Sequence, residues 1–211
     1  MGLFIVLEGV EGSGKTTQAR MLGDWLARAG IDHLVTREPG GTAVGEEIRR
    51  ILLHGDEVPS RAELLLMLAA RAVFVEEVVR PALERGLVVV ADRYEMSTLA
   101  YQGYGRGIPL EEVRRLNAFA TGGLRPDVTL VLDVPPQVGE ARRAREGRDA
   151  DRIERAGSEF HTRVAGAYRL LAEIEPRVER IDGSERPEWV HAEIVRRLRA
   201  RFPETLKFGE G

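Results

Sequence analysis

The chain has 211 residues, of which 43% are hydrophobic, and its 31 basic and 34 acidic side chains give a formal net charge of −3. This length and apolar content predict one compact domain over residues 1–211, and the charge excludes a nucleic-acid binder that depends on a basic surface. The chain has no cysteine and its first residues favour a strand over an export signal, so we expect a cytoplasmic protein without disulfides.

Strands alternate with helices along the chain, which is the pattern of a parallel sheet covered by helices on both faces. Apolar, β-branched runs predict strands near residues 3–8, 32–36, 87–92, 127–133 and 178–182. Helical periodicity predicts helices near residues 15–29, 43–54, 60–85, 109–121, 154–174 and 187–201. The sequence therefore predicts one α/β domain.

The first predicted strand leads into a glycine-rich turn that fits the G-x-x-x-x-G-K-T pattern of a phosphate-binding P-loop. Its glycines let backbone N–H groups converge on a phosphate, Lys15 can reach the outer phosphates, and the Thr16 hydroxyl can face Mg²⁺. The alternative is a chance match, but the strand before and the amphipathic helix after supply the required context. We predict that ATP binds to Gly9, Val10, Glu11, Gly12, Ser13, Gly14, Lys15, Thr16 and Thr17.

After the second predicted strand comes the run Arg37-Glu38-Pro39-Gly40-Gly41-Thr42. Open α/β sheets bind ligands at the carboxyl ends of their strands, and the glycines permit close approach of a ligand to the backbone. The alternative is an ordinary turn from strand to helix.

The third predicted helix is apolar from Leu64 to Val75 except for Arg71. This run is too short and too charged to span a membrane. An unpaired buried charge costs several kcal/mol, roughly, so Arg71 must have a partner. That partner is either a ligand or a carboxylate elsewhere in the chain, and the second possibility makes Arg71 part of a structural ion pair.

Two aspartates, Asp92 and Asp133, end apolar strands where P-loop enzymes hold the water shell of Mg²⁺, and Asp92 is the better candidate. Neither is followed by a glutamate that could activate water, because Arg93 and Val134 stand there. Lysine occurs only at Lys15 and Lys207, so the N-K-x-D motif that recognises guanine is absent. These features favour phosphoryl transfer over hydrolysis.

Taken together, several motifs resemble the bacterial thymidylate kinase family. They are the P-loop with Glu11, the run 37–42, Ala69-Ala70-Arg71, and Asp92-Arg93-Tyr94 followed by Ser97-Thr98-Leu99-Ala100-Tyr101-Gln102-Gly103. The resemblance implies a five-stranded parallel sheet of order 2-3-1-4-5, a homodimer, and Mg²⁺-assisted transfer of the ATP γ-phosphate to dTMP, giving dTDP and ADP. It implies neither a nucleic-acid nor a membrane partner.

The resemblance also assigns roles to individual residues. It places Arg93 between the donor and acceptor phosphates and Glu11 near the acceptor sugar. The remaining dTMP-binding residues that it implies are Glu38, Met67, Arg71, Ser97, Thr98, Tyr101 and Gln102. Met67 departs from the family pattern, which has a phenylalanine there that stacks on thymine.

The arginine-rich stretch near residues 140–152 resembles the lid of the family subclass that supplies its catalytic arginine from the lid rather than from the P-loop. Phosphoryl transfer needs guanidinium groups near the transferred phosphate, and the predicted catalytic arginines here are Arg145, Arg148 and Arg152. The alternative is a solvated helix face, because arginines and carboxylates alternate. By the same resemblance, Gly183 and Ser184 border the adenine.

Two other functions remain open from the sequence. One is another P-loop kinase that acts on a different nucleotide or on a deoxynucleoside. The other is a nucleotide-gated binding module with little turnover.

Overall fold

A computed structural model describes residues 2–145 and 150–207. Five parallel strands form one sheet in the order β2-β3-β1-β4-β5. The strands are β1 (Leu3–Glu8), β2 (His33–Arg37), β3 (Val88–Asp92), β4 (Val128–Asp133) and β5 (Val178–Asp182). The predicted strands and the order implied by the family resemblance are confirmed.

Nine α-helices lie in the described part of the chain, together with two π-helical segments, Val75–Val79 and Leu99–Gly105. The α-helices are α1 (Lys15–Arg28), α2 (Ala43–His54), α3 (Ser60–Phe74), α4 (Arg80–Glu84), α5 (Glu95–Thr98), α6 (Leu110–Thr121), α7 (Pro136–Arg145), α8 (Ser158–Ile174) and α9 (Pro187–Arg201). None of these helices has both the length and the apolar character that a membrane crossing requires.

The central strand β1 is buried along its whole length and separates two layers of the core. Alternate side chains of a strand point to opposite faces of the sheet. Accordingly, Ile5 packs with Leu22 of α1 and Ile194 of α9. Phe4 packs on the other face with Phe74 and Val79. Burial on both faces fixes β1 at the centre of the sheet, with the P-loop at its carboxyl end.

The predicted long helix over residues 60–85 is wrong in its middle, because the chain becomes π-helical at Val75–Val79. Pro81 has no backbone N–H, and its ring clashes with the carbonyl four residues earlier in a regular α-helix. The wider turn just before it, in which the Arg80 N–H bonds to the Val75 carbonyl, is a known way to accommodate such a break.

The sequence prediction missed α7 and the helical stretch from Glu95 to Gly105. α7 begins at a double proline and contains Gly139, and glycine and proline reduce the helical signal. Gly139 has a structural role, because a Cβ at Gly139 would lie 2.3 Å from the Glu11 carbonyl oxygen of the P-loop, and a Cβ at Gly12 would lie 2.3 Å from the Gly139 carbonyl oxygen. The close contact between these glycines holds α7 directly against the P-loop.

Candidate active site

The P-loop connects β1 to α1, and Lys15 is the first residue of that helix. The Lys15 ammonium donates hydrogen bonds to the carbonyl oxygens of Gly9 (3.1 Å) and Val10 (2.7 Å) and to the Ser13 hydroxyl (3.3 Å). Burial, together with the nearby Arg93 guanidinium, lowers the pKa of Lys15 to about 8. The lysine is therefore held inside the loop, at the N-terminus of a helix that attracts phosphate.

Thr16 and Asp92 come together at the carboxyl ends of β1 and β3. The Thr16 hydroxyl donates a 2.6 Å hydrogen bond to the Asp92 carboxylate. Asp133, by contrast, accepts hydrogen bonds from Arg169 at 3.0 and 3.1 Å and lies 3.7 Å from Arg180. Of the two aspartates, only Asp92 lines the cleft described below.

A hydroxyl and a carboxylate are oxygen donors of the kind that Mg²⁺ prefers. No cluster of three or more His, Cys, Asp or Glu side chains suited to a metal occurs among the residues that the structure describes. A magnesium ion at Thr16 and Asp92 would therefore depend on water and nucleotide phosphates for its other ligands, which is its usual coordination in kinase sites.

Arg93 follows β3 with a backbone φ of 79°, in a region that side chains other than glycine seldom adopt. Its guanidinium donates hydrogen bonds to the Gly9 carbonyl (3.0 Å) and the Ser97 hydroxyl (3.1 Å). It also donates to the Glu11 carboxylate at 3.0 Å. The strained backbone thus directs a guanidinium to the P-loop.

Glu8 and Tyr168 support this arrangement, and the sequence analysis missed both. The Glu8 carboxylate is fully buried and accepts hydrogen bonds from the Tyr94 and Ser97 backbone N–H groups at 2.8 and 3.0 Å. It also accepts bonds from the Ser97 and Tyr168 hydroxyls at 2.7 and 2.8 Å. Tyr168 lies in α8, far along the chain, and no motif marks it.

Glu11 and Tyr101 form a pair beside Arg93. The Tyr101 hydroxyl donates to the Glu11 carboxylate, with O···O distances of 2.7 and 2.6 Å to its two oxygens. Burial favours a higher pKa for Glu11, but the charges of Arg93 and Lys15 and the Tyr101 hydrogen bond lower this pKa below its ordinary value. Glu11 is therefore a carboxylate at neutral pH.

Arg71 forms the internal ion pair that the alternative interpretation predicted. Its Nε donates to Glu38 at 2.8 Å, Nη1 donates to Thr98 (2.7 Å) and Asn117 (2.6 Å), and Nη2 donates to the Tyr94 carbonyl (3.0 Å). A guanidinium has five N–H groups, and these bonds to described residues use four of them. One N–H of Nη2 remains for another acceptor.

These residues surround a cleft of about 620 Å³. Predicted residues that line the cleft are Glu11, Gly12, Gly14, Lys15, Thr16, Thr17, Glu38, Met67, Asp92, Arg93, Ser97, Thr98, Tyr101 and Gln102. The buried guanidinium of Arg71 lies behind two of them, Glu38 and Thr98, rather than in the wall itself. The wall also includes Arg37, Arg49 and Arg143. None of these three was predicted as a site residue from the sequence, and Arg37 was noted only as part of the run 37–42.

Of the predicted catalytic arginines of the lid, the two that the structure describes, Arg145 and Arg152, do not line this cleft. The Arg145 side chain is exposed at the end of α7, and Arg148 lies outside the described residues. Arg152 is buried, with Nη2 2.7 Å from the Glu63 carboxylate and Nε 2.9 Å from the Leu52 carbonyl. Arg152 therefore pairs with Glu63 in this structure, and its catalytic role stays a prediction.

Arg143 lies where the lid arginine was expected. It lines the cleft, and its Nη1 is 3.6 Å from the Glu154 carboxylate. Its buried Nε has no hydrogen-bond partner among the described residues. A buried guanidinium N–H without an acceptor is costly, so this group is available for an anionic ligand. Arg142, next to it, donates to the Gly183 carbonyl at 2.9 Å and the Ser184 carbonyl at 3.1 Å.

Comparison with known proteins gives concordant results. A family model described as thymidylate kinase matches residues 7–194. A thymidylate kinase of Synechococcus sp. (strain JA-2-3B'a(2-13)) is 50% identical over 202 residues, covering 95% of this chain and 96% of that protein. The thymidylate kinase of Pelotomaculum thermopropionicum is 50% identical over 199 residues, covering 92% of each. The crystal structure of thymidylate kinase from Ehrlichia chaffeensis matches with a TM-score of 0.77 at 32% identity, covering 93% of this chain and 98% of that one.

Proposed function

The chain belongs to the thymidylate kinase family and transfers the γ-phosphate of ATP to dTMP, and we propose that the cleft described above holds both substrates. The observation that carries this proposal is the position of Arg93, whose guanidinium bridges the P-loop carbonyl of Gly9 and the carboxylate of Glu11. A phosphate donor on the P-loop and an acceptor beside Glu11 would meet at this guanidinium. The relatives give no support to another nucleotide kinase or to a binding module.

A coupled assay of ADP release over a panel of nucleoside monophosphates and nucleosides tests this function. We expect dTMP to be the best acceptor, dUMP to follow and dCMP to be poor, with turnover abolished when a chelator removes divalent cations. Higher kcat/KM for a purine monophosphate or for thymidine itself would contradict the proposal.

For the donor half of the site, we propose that residues 9–17 hold the ATP phosphates. Lys15 would exchange its bonds to the Gly9 and Val10 carbonyls for bonds to phosphate oxygens. Thr16 and Asp92 would hold Mg²⁺, which when bound neutralises charge on the donor phosphates. Gly183 and Ser184 remain the proposed border of the adenine.

For the acceptor half, we propose that Glu11 and Tyr101 contact the deoxyribose and that Ser97 lies near the acceptor phosphate. The base would contact Met67, Thr98, Gln102 and the free N–H of Arg71, with Glu38 beside Arg71. The Met67 thioether is polarizable and can lie against a thymine ring. All of these residues except Arg71 line the cleft.

The reaction needs no general base from the protein. A phosphate monoester has a second pKa of about 6, so the acceptor oxygen is already ionised at neutral pH. The side chains must instead align the two phosphates and neutralise charge that shifts during transfer. Lys15 and Arg93 supply this charge from fixed positions, and the lid adds a guanidinium.

The pH dependence should show the titration of Lys15, whose pKa is lowered to about 8 by burial and Arg93. The protonated ammonium is the active form, so kcat/KM for ATP should fall as the pH rises above about 8. At saturating ATP, the bound phosphates should keep the proton on Lys15, and kcat should fall only at higher pH. A kcat/KM profile that stays flat well above this pKa would contradict the prediction.

We propose that Arg143 is a catalytic lid arginine. Arg143→Ala should lower kcat by roughly 10³-fold, the scale of losing an arginine that stabilises the transferred phosphate. Arg145→Ala is the matched control, because Arg145 lies two residues further along α7 with an exposed side chain, and its kcat should change little. A large loss of kcat in Arg145→Ala with little change in Arg143→Ala would contradict this proposal and support Arg145 as the catalytic residue. Arg148 stays a prediction, and Arg148→Ala in the same assay tests it.

We also propose that the free N–H of Arg71 donates to thymine O4, where cytosine carries an amino donor instead. Arg71→Met should lower the dTMP-to-dCMP ratio of kcat/KM by about tenfold to a hundredfold. The single variant also leaves Glu38 buried without its partner; because burial already raises the pKa of Glu38 to about 7, this carboxyl should take up a proton, at a cost in stability. The double variant Arg71→Met/Glu38→Gln removes both charges and should recover stability without recovering the ratio. A wild-type ratio in the double variant would make Arg71 a structural ion-pair partner only.

We propose that two such kinase domains form a homodimer. The packed helices α3 and α6 expose large apolar side chains, with Leu65 59% and Phe119 87% exposed. Exposed apolar patches commonly mark protein interfaces. Light scattering should give twice the chain mass, and a monomer mass at micromolar concentration would contradict the proposal.

We propose the cytoplasm as the compartment of this kinase, because ATP and dTMP are available there.

A further inference from the structure

Glu63 of α3 is a buried carboxylate at a junction of three elements, and the proposed mechanism does not use it. Its side chain is 0% exposed. It accepts hydrogen bonds from Gln102 Nε2 (2.8 Å), from Arg106 Nε (3.2 Å) and Nη2 (3.1 Å), and from Arg152 Nη2 (2.7 Å). Burial favours a higher pKa for Glu63, but these hydrogen bonds lower it below its ordinary value. Glu63 is therefore ionised.

The ionised carboxylate determines which end of the Gln102 amide faces the cleft. A carboxylate can only accept hydrogen bonds, so the Gln102 amide must present its NH₂ group to Glu63. Gln102 also lines the cleft, and its amide oxygen is the polar group that remains for a ligand. Glu63 thus makes Gln102 an acceptor rather than a donor toward the base.

The same carboxylate anchors the carboxyl-terminal end of the lid stretch. Arg152 bonds to Glu63, its Nε donates to the Leu52 carbonyl (2.9 Å), and its backbone N–H donates to the Leu53 carbonyl (3.0 Å). Residues 151, 153 and 154, on either side of Arg152, line the cleft. We call residues 150–154 the anchor segment. Its last residue, Glu154, lies 3.6 Å from Arg143 of α7.

On the basis of the proposed function, we propose that Glu63 is a positioning residue that couples base recognition by Gln102 to the placement of the anchor segment and, through Glu154, of Arg143 of α7. Gln102 and Arg152 bond to opposite oxygens of one carboxylate, Oε1 and Oε2. Replacing either Gln102 or Arg152 therefore changes the Glu63 carboxylate to which the other residue bonds.

Glu63→Gln tests the first half of this proposal. A neutral amide in place of the carboxylate lets the Gln102 amide rotate and present a donor to the base, which suits the N3 acceptor of cytosine better than the N3–H of thymine. We expect the dTMP-to-dCMP ratio of kcat/KM to fall by about tenfold or more, while KM for ATP changes less than about twofold. Glu179→Gln is the control, because Glu179 is a β5 carboxylate paired with Arg197 and Arg201. It should keep the wild-type ratio.

A double-mutant cycle tests the coupling between Gln102 and Arg152 in a protein that retains Glu63. It therefore tests the proposal even if Glu63→Gln does not fold. Gln102→Ala and Arg152→Met are made singly and together, and both kcat and the dTMP-to-dCMP ratio are measured. We expect Arg152→Met alone to lower the dTMP-to-dCMP ratio of kcat/KM. In the double variant this ratio should fall by less than the product of the two factors measured for the single variants.

An unchanged ratio in Arg152→Met, or strictly multiplicative effects in the double variant, would overturn the proposal. Failure of the proposed function itself has a different signature, since the wild-type protein would then form no dTDP. The variants are compared only with a wild type that does form dTDP.

Discussion

Replacing Lys15 by alanine should lower kcat for dTMP phosphorylation by about 10²–10³-fold or more, the scale for removing one group that stabilises charge in the transition state. The ammonium is buried in the P-loop, with hydrogen bonds to the Gly9 and Val10 carbonyls, and on the proposed function it would exchange these bonds for bonds to the phosphates of ATP. Because its interaction strengthens as charge develops, kcat should fall more than KM rises.

The chain provides a matched control, because its only other lysine is Lys207. Lys207 pairs with Glu204 near the end of the described chain, and Lys207→Ala should keep the wild-type kcat. Wild-type kcat in a folded Lys15→Ala protein would remove the P-loop from the proposed chemistry.

Replacing Arg93 should have an effect of similar size, about 10³-fold in kcat. Its guanidinium lies between the Gly9 carbonyl and the Glu11 carboxylate, so its loss removes positive charge from the place where the two substrates would meet. It also leaves Glu11 without its nearest guanidinium partner.

Arg93→Ala and Arg93→Gly separate the side chain from the backbone. Both variants lose the guanidinium and should lose activity equally. Since φ at residue 93 is 79°, alanine should keep the strain while glycine relieves it, and the glycine variant should be more stable by about 1 kcal/mol. Equal thermal stability would contradict the strain argument, and high activity in either variant would contradict the role of Arg93. Arg196→Ala, at an exposed ion pair with Glu193, is the control.

The sheet could be predicted from the sequence because its strands are buried on both faces. Continuous apolar runs such as β1 and β4 have few other interpretations. The strand order came from the family resemblance. The helices around the site were harder to predict, because Pro81 converts the middle of one into a π-helical segment and Gly139 weakens the signal of α7 while allowing its contact with Gly12.

The candidate site was predictable where function depends on local spacing. Lys15 and Thr16 belong to one contiguous motif, and Asp92 follows from its place at the end of a strand. Tyr168 and Glu63 were not predictable, because they meet their partners only after the chain folds. The positions of Arg143 and Arg152 were not predictable for a related reason, since the sequence alternates arginines and acids without showing that Arg152 pairs with Glu63 and that Arg143 lines the cleft.

On the proposed function, this cleft transfers a phosphoryl group to dTMP rather than to water. The most direct measurement follows the label from ATP carrying a radioactive γ-phosphate, with and without dTMP, and separates nucleotides from inorganic phosphate. We predict that the label appears in dTDP when dTMP is present, and that release of inorganic phosphate is slow without it, because neither Arg93 nor Val134 can activate water. Rapid release of labelled inorganic phosphate, with no labelled dTDP, would contradict the account.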